Sequence, residues 1–150
     1  MDIIVLGAGL VGGPMAIDLS KDKDFHVSVA DVNKNQLDKI KSEHINKIIT
    51  DLSDQQTVKG LVKNYHYVVN AVPGFMGYQT LKAIIEAGID VVDIAFFPED
   101  PFDLDQLVKD KNVTAIMDCG VAPGMSNILT GYADHLMDET ESVLIYVGGL

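Results

Sequence analysis

Three glycines, at positions 7, 9 and 12, follow directly on the apolar run Ile3-Ile4-Val5-Leu6. A buried strand that breaks at once into a glycine turn and then a helix is the first half of a parallel strand–helix–strand unit. The second half follows: a helical stretch over residues 10–21, then an apolar run over residues 25–30 that ends at Asp31. In such a unit Gly7 permits the tight turn, Gly9 lets a pyrophosphate come close to the backbone, and Gly12 lets the helix pack on the strand. The unpaired N–H groups at the helix start, around Leu10 and Val11, would face the phosphates with the helix dipole behind them. Pro14 falls in the first turn, where no intrahelical donor is lost. Asp31 comes about 20 residues after the last glycine, where a carboxylate accepts from the ribose hydroxyls and repels a 2′-phosphate. The expected ligand is therefore a dinucleotide lying on Gly7, Gly9, Leu10, Val11, Gly12, Asp31 and Val32. NAD is preferred, and Lys34 leaves room for NADP.

The alternation of strand and helix patterns continues down the chain, with no repeat beyond it and no low-complexity segment. Strands are expected over residues 2–6, 25–30, 47–50, 67–71, 90–95 and 113–117. Helices are expected between them, opened by the pairs Asn33/Gln36 and Ser53/Gln56 as capping boxes. One carries Leu81, Ile84 and Ile85 inward and is stopped by Gly88; another turns Leu104, Leu107 and Val108 inward. A last helix is expected over residues 125–137. Six such units predict an α/β fold, a doubly wound parallel sheet of the Rossmann type in three layers, α/β/α. The apolar run over residues 142–147 is left over. It can add a seventh strand at the sheet edge, or it can begin a second domain. We expect the latter, with a nucleotide-binding domain over residues 1–140 and the first strand of a truncated substrate or dimerisation domain over residues 141–150.

Composition narrows the partners. A net charge of −11 argues against nucleic acid and anionic membranes. The single Cys119 forms no intrachain disulfide and fits a reducing compartment. No apolar run reaches transmembrane length, and Met1 leads within one residue into a core strand, leaving no space for a signal peptide. The expected location is the cytoplasm.

In an open α/β sheet the ligand lies beyond the carboxyl ends of the strands, at the switch in strand order. Asp51 and Leu52 then edge the adenine. Asn70, Ala71, Val72 and Pro73 pass the middle of the dinucleotide. Ala95-Phe96, with Gly120, Val121, Ala122 and Pro123, lie towards the nicotinamide. Gly74 and Gly77 make the loop over residues 72–78 a candidate for movement on binding. Cys119 reads as a buried inert thiol rather than a nucleophile, since no His is placed in sequence to activate it. His26, His44, His66 and His135 lack metal-ligand spacing and read as solvated or structural; no metal site is expected. Tyr65, Tyr67 and Tyr78 read as packing residues, Tyr78 also as a candidate for cofactor or substrate contact. Asp118 reads as a loop-capping carboxylate. The acids Asp100, Asp103, Asp105 and Asp110 read as a solvated helix face.

Four stretches carry a family resemblance: Gly7 to Gly12, Asn70-Ala-Val-Pro-Gly-Phe-Met-Gly77, Val92-Asp-Ile-Ala-Phe-Phe-Pro-Glu99, and above all Asp118-Cys-Gly-Val-Ala-Pro-Gly-Met-Ser-Asn127. The sequence resembles the saccharopine dehydrogenase family, in its L-lysine 6-dehydrogenase branch. The ending Tyr146-Val-Gly-Gly-Leu150 resembles the start of that family's substrate domain. The resemblance implies an NAD(P)-dependent oxidoreductase acting on the CH–NH or CH–NH2 group of an amino acid or amine. It also implies that the catalytic groups lie largely in a second domain, so no catalytic residue is assigned and the 150-residue chain alone is expected to be inactive. A homo-oligomer is expected. Two rival readings remain: a non-enzymatic NAD-sensing module, which needs the glycine turn and Asp31 but not the loop over residues 120–127, and a dehydrogenase of another substrate such as homoserine.

Overall fold

The computed structural model describes residues 1–148. Six strands alternate with helices: β1 (Asp2–Leu6), α1 (Gly12–Leu19), β2 (His26–Asp31), α2 (Lys34–Lys39), β3 (Ile45–Ile49), α3 (Gln55–Val62), β4 (Tyr67–Asn70), α4 (Gly74–Ala87), β5 (Asp90–Asp93), a 3-10 turn (Pro101–Leu104), α5 (Asp105–Lys111), β6 (Ala115–Ile116) and α6 (Met125–His135). The sheet order is β3-β2-β1-β4-β5-β6 and every pairing is parallel. Strand order reverses between β1 and β4, so their carboxyl ends, Leu6 beside Asn70, flank the crevice of a doubly wound sheet. The expected fold class is borne out.

Two cores hold the layers. One face of the sheet (Ile4, Leu6, Ala30, Val68, Val91) packs against Val58 and Val62 of α3, Leu81, Ile84 and Ile85 of α4, and Leu104. The other face (Val5, Val27, Val29, Ile45) packs against Ala16 of α1 and Leu37 of α2. Burial on both faces explains why these strands read as continuous apolar runs. Gly88 closes α4 in the left-handed region, at φ 80°, which a residue without Cβ adopts freely.

Several expectations shift. Asp54, not Ser53, caps α3: its carboxylate accepts from the Gln56 and Thr57 N–H groups. Asn33 caps α2 through Asn35 N–H, while Gln36 turns to Lys39 instead of back to the cap. The glycines expected to make a movable loop are packing residues. Gly74 begins α4, and a Cβ there would fall on the Phe96 carbonyl oxygen. A Cβ on Gly77 would meet Phe97 and Ala95 at 2.7 and 2.8 Å. The helix therefore lies against the strand-5 loop, and only glycine allows the approach.

The C-terminal part differs most. α6 contributes no buried residue, and its stripe Met125, Ile128, Leu129 and Tyr132 is exposed. Residues 142–147 form no strand among the described residues; they run as exposed irregular chain. An apolar run makes a strand only where a neighbour supplies the hydrogen bonds, and here none does. Gly149 and Leu150, the last residues of the expected second-domain start, lie outside the described residues. No helix among the described residues is long and apolar enough to cross a membrane.

Candidate functional site

The turn between β1 and α1 is built as a cradle. Gly7 adopts φ 100°, and a Cβ there would meet the Ala71 carbonyl oxygen at 2.5 Å; a Cβ on Gly12 would fall on the Gly7 carbonyl oxygen. Both glycines are required by the chain's own packing. Gly9 is not: an added Cβ would meet nothing within 4 Å. Its missing side chain leaves open space above the turn, on the side where α1 begins. α1 has no side-chain cap. Among the described residues the Leu10 and Val11 N–H groups find no acceptor, and Leu10 is 95% exposed. Free donors, a helix start and a clear approach are the features an anion-binding turn requires.

Asp31 closes the cradle from β2. Its Oδ2 accepts from Ala8 N–H at 2.7 Å and its Oδ1 from Asn33 N–H at 2.7 Å. The carboxylate thus fixes the glycine turn and the start of α2. It stays half-buried, with lone pairs left for further donors. Val32 beside it is exposed. These features fit the phosphates and ribose of a dinucleotide.

The remaining expected contacts are placed unevenly. Asp51 is exposed, and hydrogen bonds from Ser53 hold its pKa below the usual carboxylate value. Leu52 and Val72 are core residues, so their side chains are not free to contact a ligand. Ala71 packs beneath the turn, and Pro73 forms the N-cap of α4. Gly120 bridges to Gly124, Val121 is exposed, and Ala122 and Pro123 are half-buried. Asn127 Oδ1 accepts from Gly124 N–H at 3.1 Å, so the loop is capped by Asn127, and Asp118 instead holds a left-handed backbone at φ 59°. Tyr78 stacks edge-on against Phe97, with ring centroids 5.8 Å apart, as a packing residue. Burial, then the charges of Asp118 and Asp93, raises the Cys119 thiol pKa, which leaves it a poor nucleophile. His26 and His66 both lie against the Asp2 carboxylate, at 3.4 and 3.2 Å, at the far end of β1. No cluster of metal-binding side chains occurs among the described residues. A concavity of about 1290 Å³ lies at that far end as well, among Asp2, His26, Ile45 and Asn46, away from the carboxyl edge where a doubly wound sheet binds ligands.

One pair was not singled out by spacing. Asn70 and Asp93 are register partners at the ends of β4 and β5, and both are fully buried. Asn70 Nδ2 donates to Asp93 Oδ2 at 2.7 Å, and Ala95 N–H donates to Asp93 Oδ1 at 2.6 Å. Burial pushes the Asp93 carboxyl up to about 6, against the lowering effect of these two bonds. The signal available in sequence was a polar residue ending each of two adjacent apolar strands.

Residues 3–116 match the family described as Saccharopine dehydrogenase NADP binding domain. The chain belongs to that family. It is 27% identical over 154 residues to the mitochondrial alpha-aminoadipic semialdehyde synthase of Mus musculus, covering 99% of this chain and 17% of that protein. It is 25% identical over 157 residues to the NADP(+), L-glutamate-forming saccharopine dehydrogenase of Pyricularia oryzae, covering 99% and 34%. Among solved structures, the apo L-Glu-forming saccharopine dehydrogenase of Saccharomyces cerevisiae superposes with a TM-score of 0.79 at 18% identity, over 90% of this chain and 31% of that one. The chain thus spans between a sixth and a third of the length of these relatives.

Proposed function

We propose that this chain is the cofactor-binding domain of an oxidoreductase acting on the C–N bond of an amino acid or amine. The observation that carries the reading is the cradle: free N–H groups at Leu10 and Val11, open space at Gly9, and the anchored Asp31 carboxylate. The backbone from Gly7 to Gly12 holds the pyrophosphate, Asp31 and Val32 the adenosine ribose, and Asp51 with the Leu52 backbone the adenine edge. Residues 70–73 and 120–123 border the nicotinamide half. A nicotinamide held there takes up or returns a hydride, and the domain's own work is orientation and exclusion of water. Membership of the saccharopine dehydrogenase family and the relatives' names support the class of substrate.

NAD is the preferred ligand although the family is described by NADP, because a 2′-phosphate would face the Asp31 carboxylate. The groups that bind substrate and the catalytic acid or base come from polypeptide outside these 150 residues, so the chain binds nucleotide without turnover. The exposed apolar run over residues 142–147 belongs to a second unit over residues 141–150, and in isolation it drives association into a homo-oligomer. Calorimetric titration with NAD and NADP tests the reading. Tighter binding of NAD is expected, with Asp31→Ala narrowing the gap between the two; equal affinities in the unsubstituted protein would refute the choice of NAD. Sedimentation of a chain cut after Met137 should show loss of the oligomer.

A further inference from the structure

Beneath the two loops assigned above to the nicotinamide half, one buried carboxylate ties three elements. Asp93 Oδ1 holds Ala95 N–H, and Oδ2 holds the Asn70 side chain. The Asn70 carbonyl accepts from Ile94 N–H at 3.0 Å, and its Nδ2 reaches the Gly77 carbonyl of α4 at 3.5 Å. The Asp93 carbonyl accepts from Cys119 N–H at 3.1 Å, which brings in the loop after β6. Gly74, at the start of α4, abuts the Phe96 carbonyl. The loops leaving β4, β5 and β6 are thus clamped around Asp93 and Asn70.

The clamp is imperfect in a telling way. Among the described residues, Asn70 Oδ1 is buried with no hydrogen-bond partner, and the two donors to the Asp93 carboxylate are an amide side chain and a backbone N–H, neither of them a cation. A buried acid with two donors and no counter-charge lies close to the balance between its neutral and ionised forms. Of the groups around it, the Asp118 carboxylate pushes towards neutrality, and the Cys119 thiol is the other titratable neighbour; Gly77, the α4 residue bonded to the pair, carries no charge.

Resting on the cofactor reading above, we infer that Asp93 is a positioning residue whose ionised form, acting through Asn70 and Ala95, holds the strand-4 and strand-5 loops in the shape that accepts the nicotinamide half of the cofactor. The ionised carboxylate accepts both N–H bonds at full strength; the neutral acid weakens one of them and loosens a loop. Cofactor binding therefore selects the ionised form and expels a proton.

The test is calorimetric titration of NAD at pH 6 in two buffers of different ionisation enthalpy, with the affinity followed from pH 5 to 7. With the group titrating at about 6, the unsubstituted protein should release about half a proton at pH 6 and bind about tenfold more weakly at pH 5 than at pH 7. Asp93→Asn should release none, and should bind more weakly at every pH than the unsubstituted protein does at pH 5, with no dependence on pH over this range. Asp118→Asn should keep the proton release, with its midpoint moved to lower pH. The proton count on the unsubstituted protein needs no variant to fold. NAD binding without proton release, or an Asp93→Asn profile that parallels the parent, overturns the inference and leaves the cofactor reading standing. Failure of the unsubstituted protein to bind either nucleotide overturns the reading, and the inference with it.

Discussion

Asp31 and Asp93 show two carboxylates at the same edge of the sheet doing different work because their surroundings differ. Asp31 is half-open, and its two oxygens already hold Ala8 and Asn33 N–H. Asp31→Ala should therefore lower stability by about 1–3 kcal/mol without any ligand, since it removes two hydrogen bonds to a charged group, the Ala8 one partly buried; urea titration of both proteins checks this, and Asp31→Asn should recover part of the loss. Asp93 is closed off, and its carboxyl titrates near 6 in the folded chain against an ordinary 3.8. The sign follows. Well below pH 4 the group is neutral in both states. As pH rises further the unfolded chain ionises while the folded one keeps its proton, so stability falls until the folded group ionises and is flat above that. The free-energy difference between Asp93→Asn and its parent should accordingly shift in favour of the variant by about 2 kcal/mol between pH 4 and pH 7. Asp51 and Asp54, whose pKa values are lowered, act in the opposite sense in both proteins and cancel in the comparison. A constant difference across that range would show that Asp93 does not titrate in the folded state.

At the scale of elements, local chemistry was readable and tertiary chemistry was not. The order of strands and helices, the Gly7–Gly12 turn and the Gly88 cap all follow from patterns a few residues long. Asp54 could not be told from Ser53 as the cap, because both precede the same helix and only the backbone angles decide between them. Gly74 and Gly77 read as a mobile loop because the chain that presses on them, Phe96 and Phe97, is remote in sequence. The Asn70–Asp93 bond needs the register of β4 on β5, which strand patterns do not give. The two kinds of glycine should part on substitution. Gly74→Ala should destabilise by about 1–3 kcal/mol, since its Cβ meets backbone. Gly60→Ala, at an exposed position of α3 with nothing within 4 Å of the added Cβ, should stabilise by about 0.5–1 kcal/mol. Thermal melts of the two variants decide it; equal effects would mean that the α4 contact with the strand-5 loop is looser than described.

At the scale of the whole molecule, the sheet is covered by helices where the chain returns to it and bare where it does not. α1 to α5 pack on their strands, whereas α6 and residues 142–147 leave their apolar side chains exposed. The part of the chain proposed to bind a nucleotide thus packs on itself, and Gly9 is not required by that packing, so the proposed cradle gives its missing side chain a reason that lies in the ligand. Calorimetric titration of NAD into the unsubstituted protein and into Gly9→Val tests that most directly. The cradle predicts measurable binding by the former, none by the latter, and closely similar melting temperatures, because the added side chain enters space that no residue of the chain occupies. Undiminished NAD affinity in Gly9→Val would contradict the placement of the pyrophosphate on this turn.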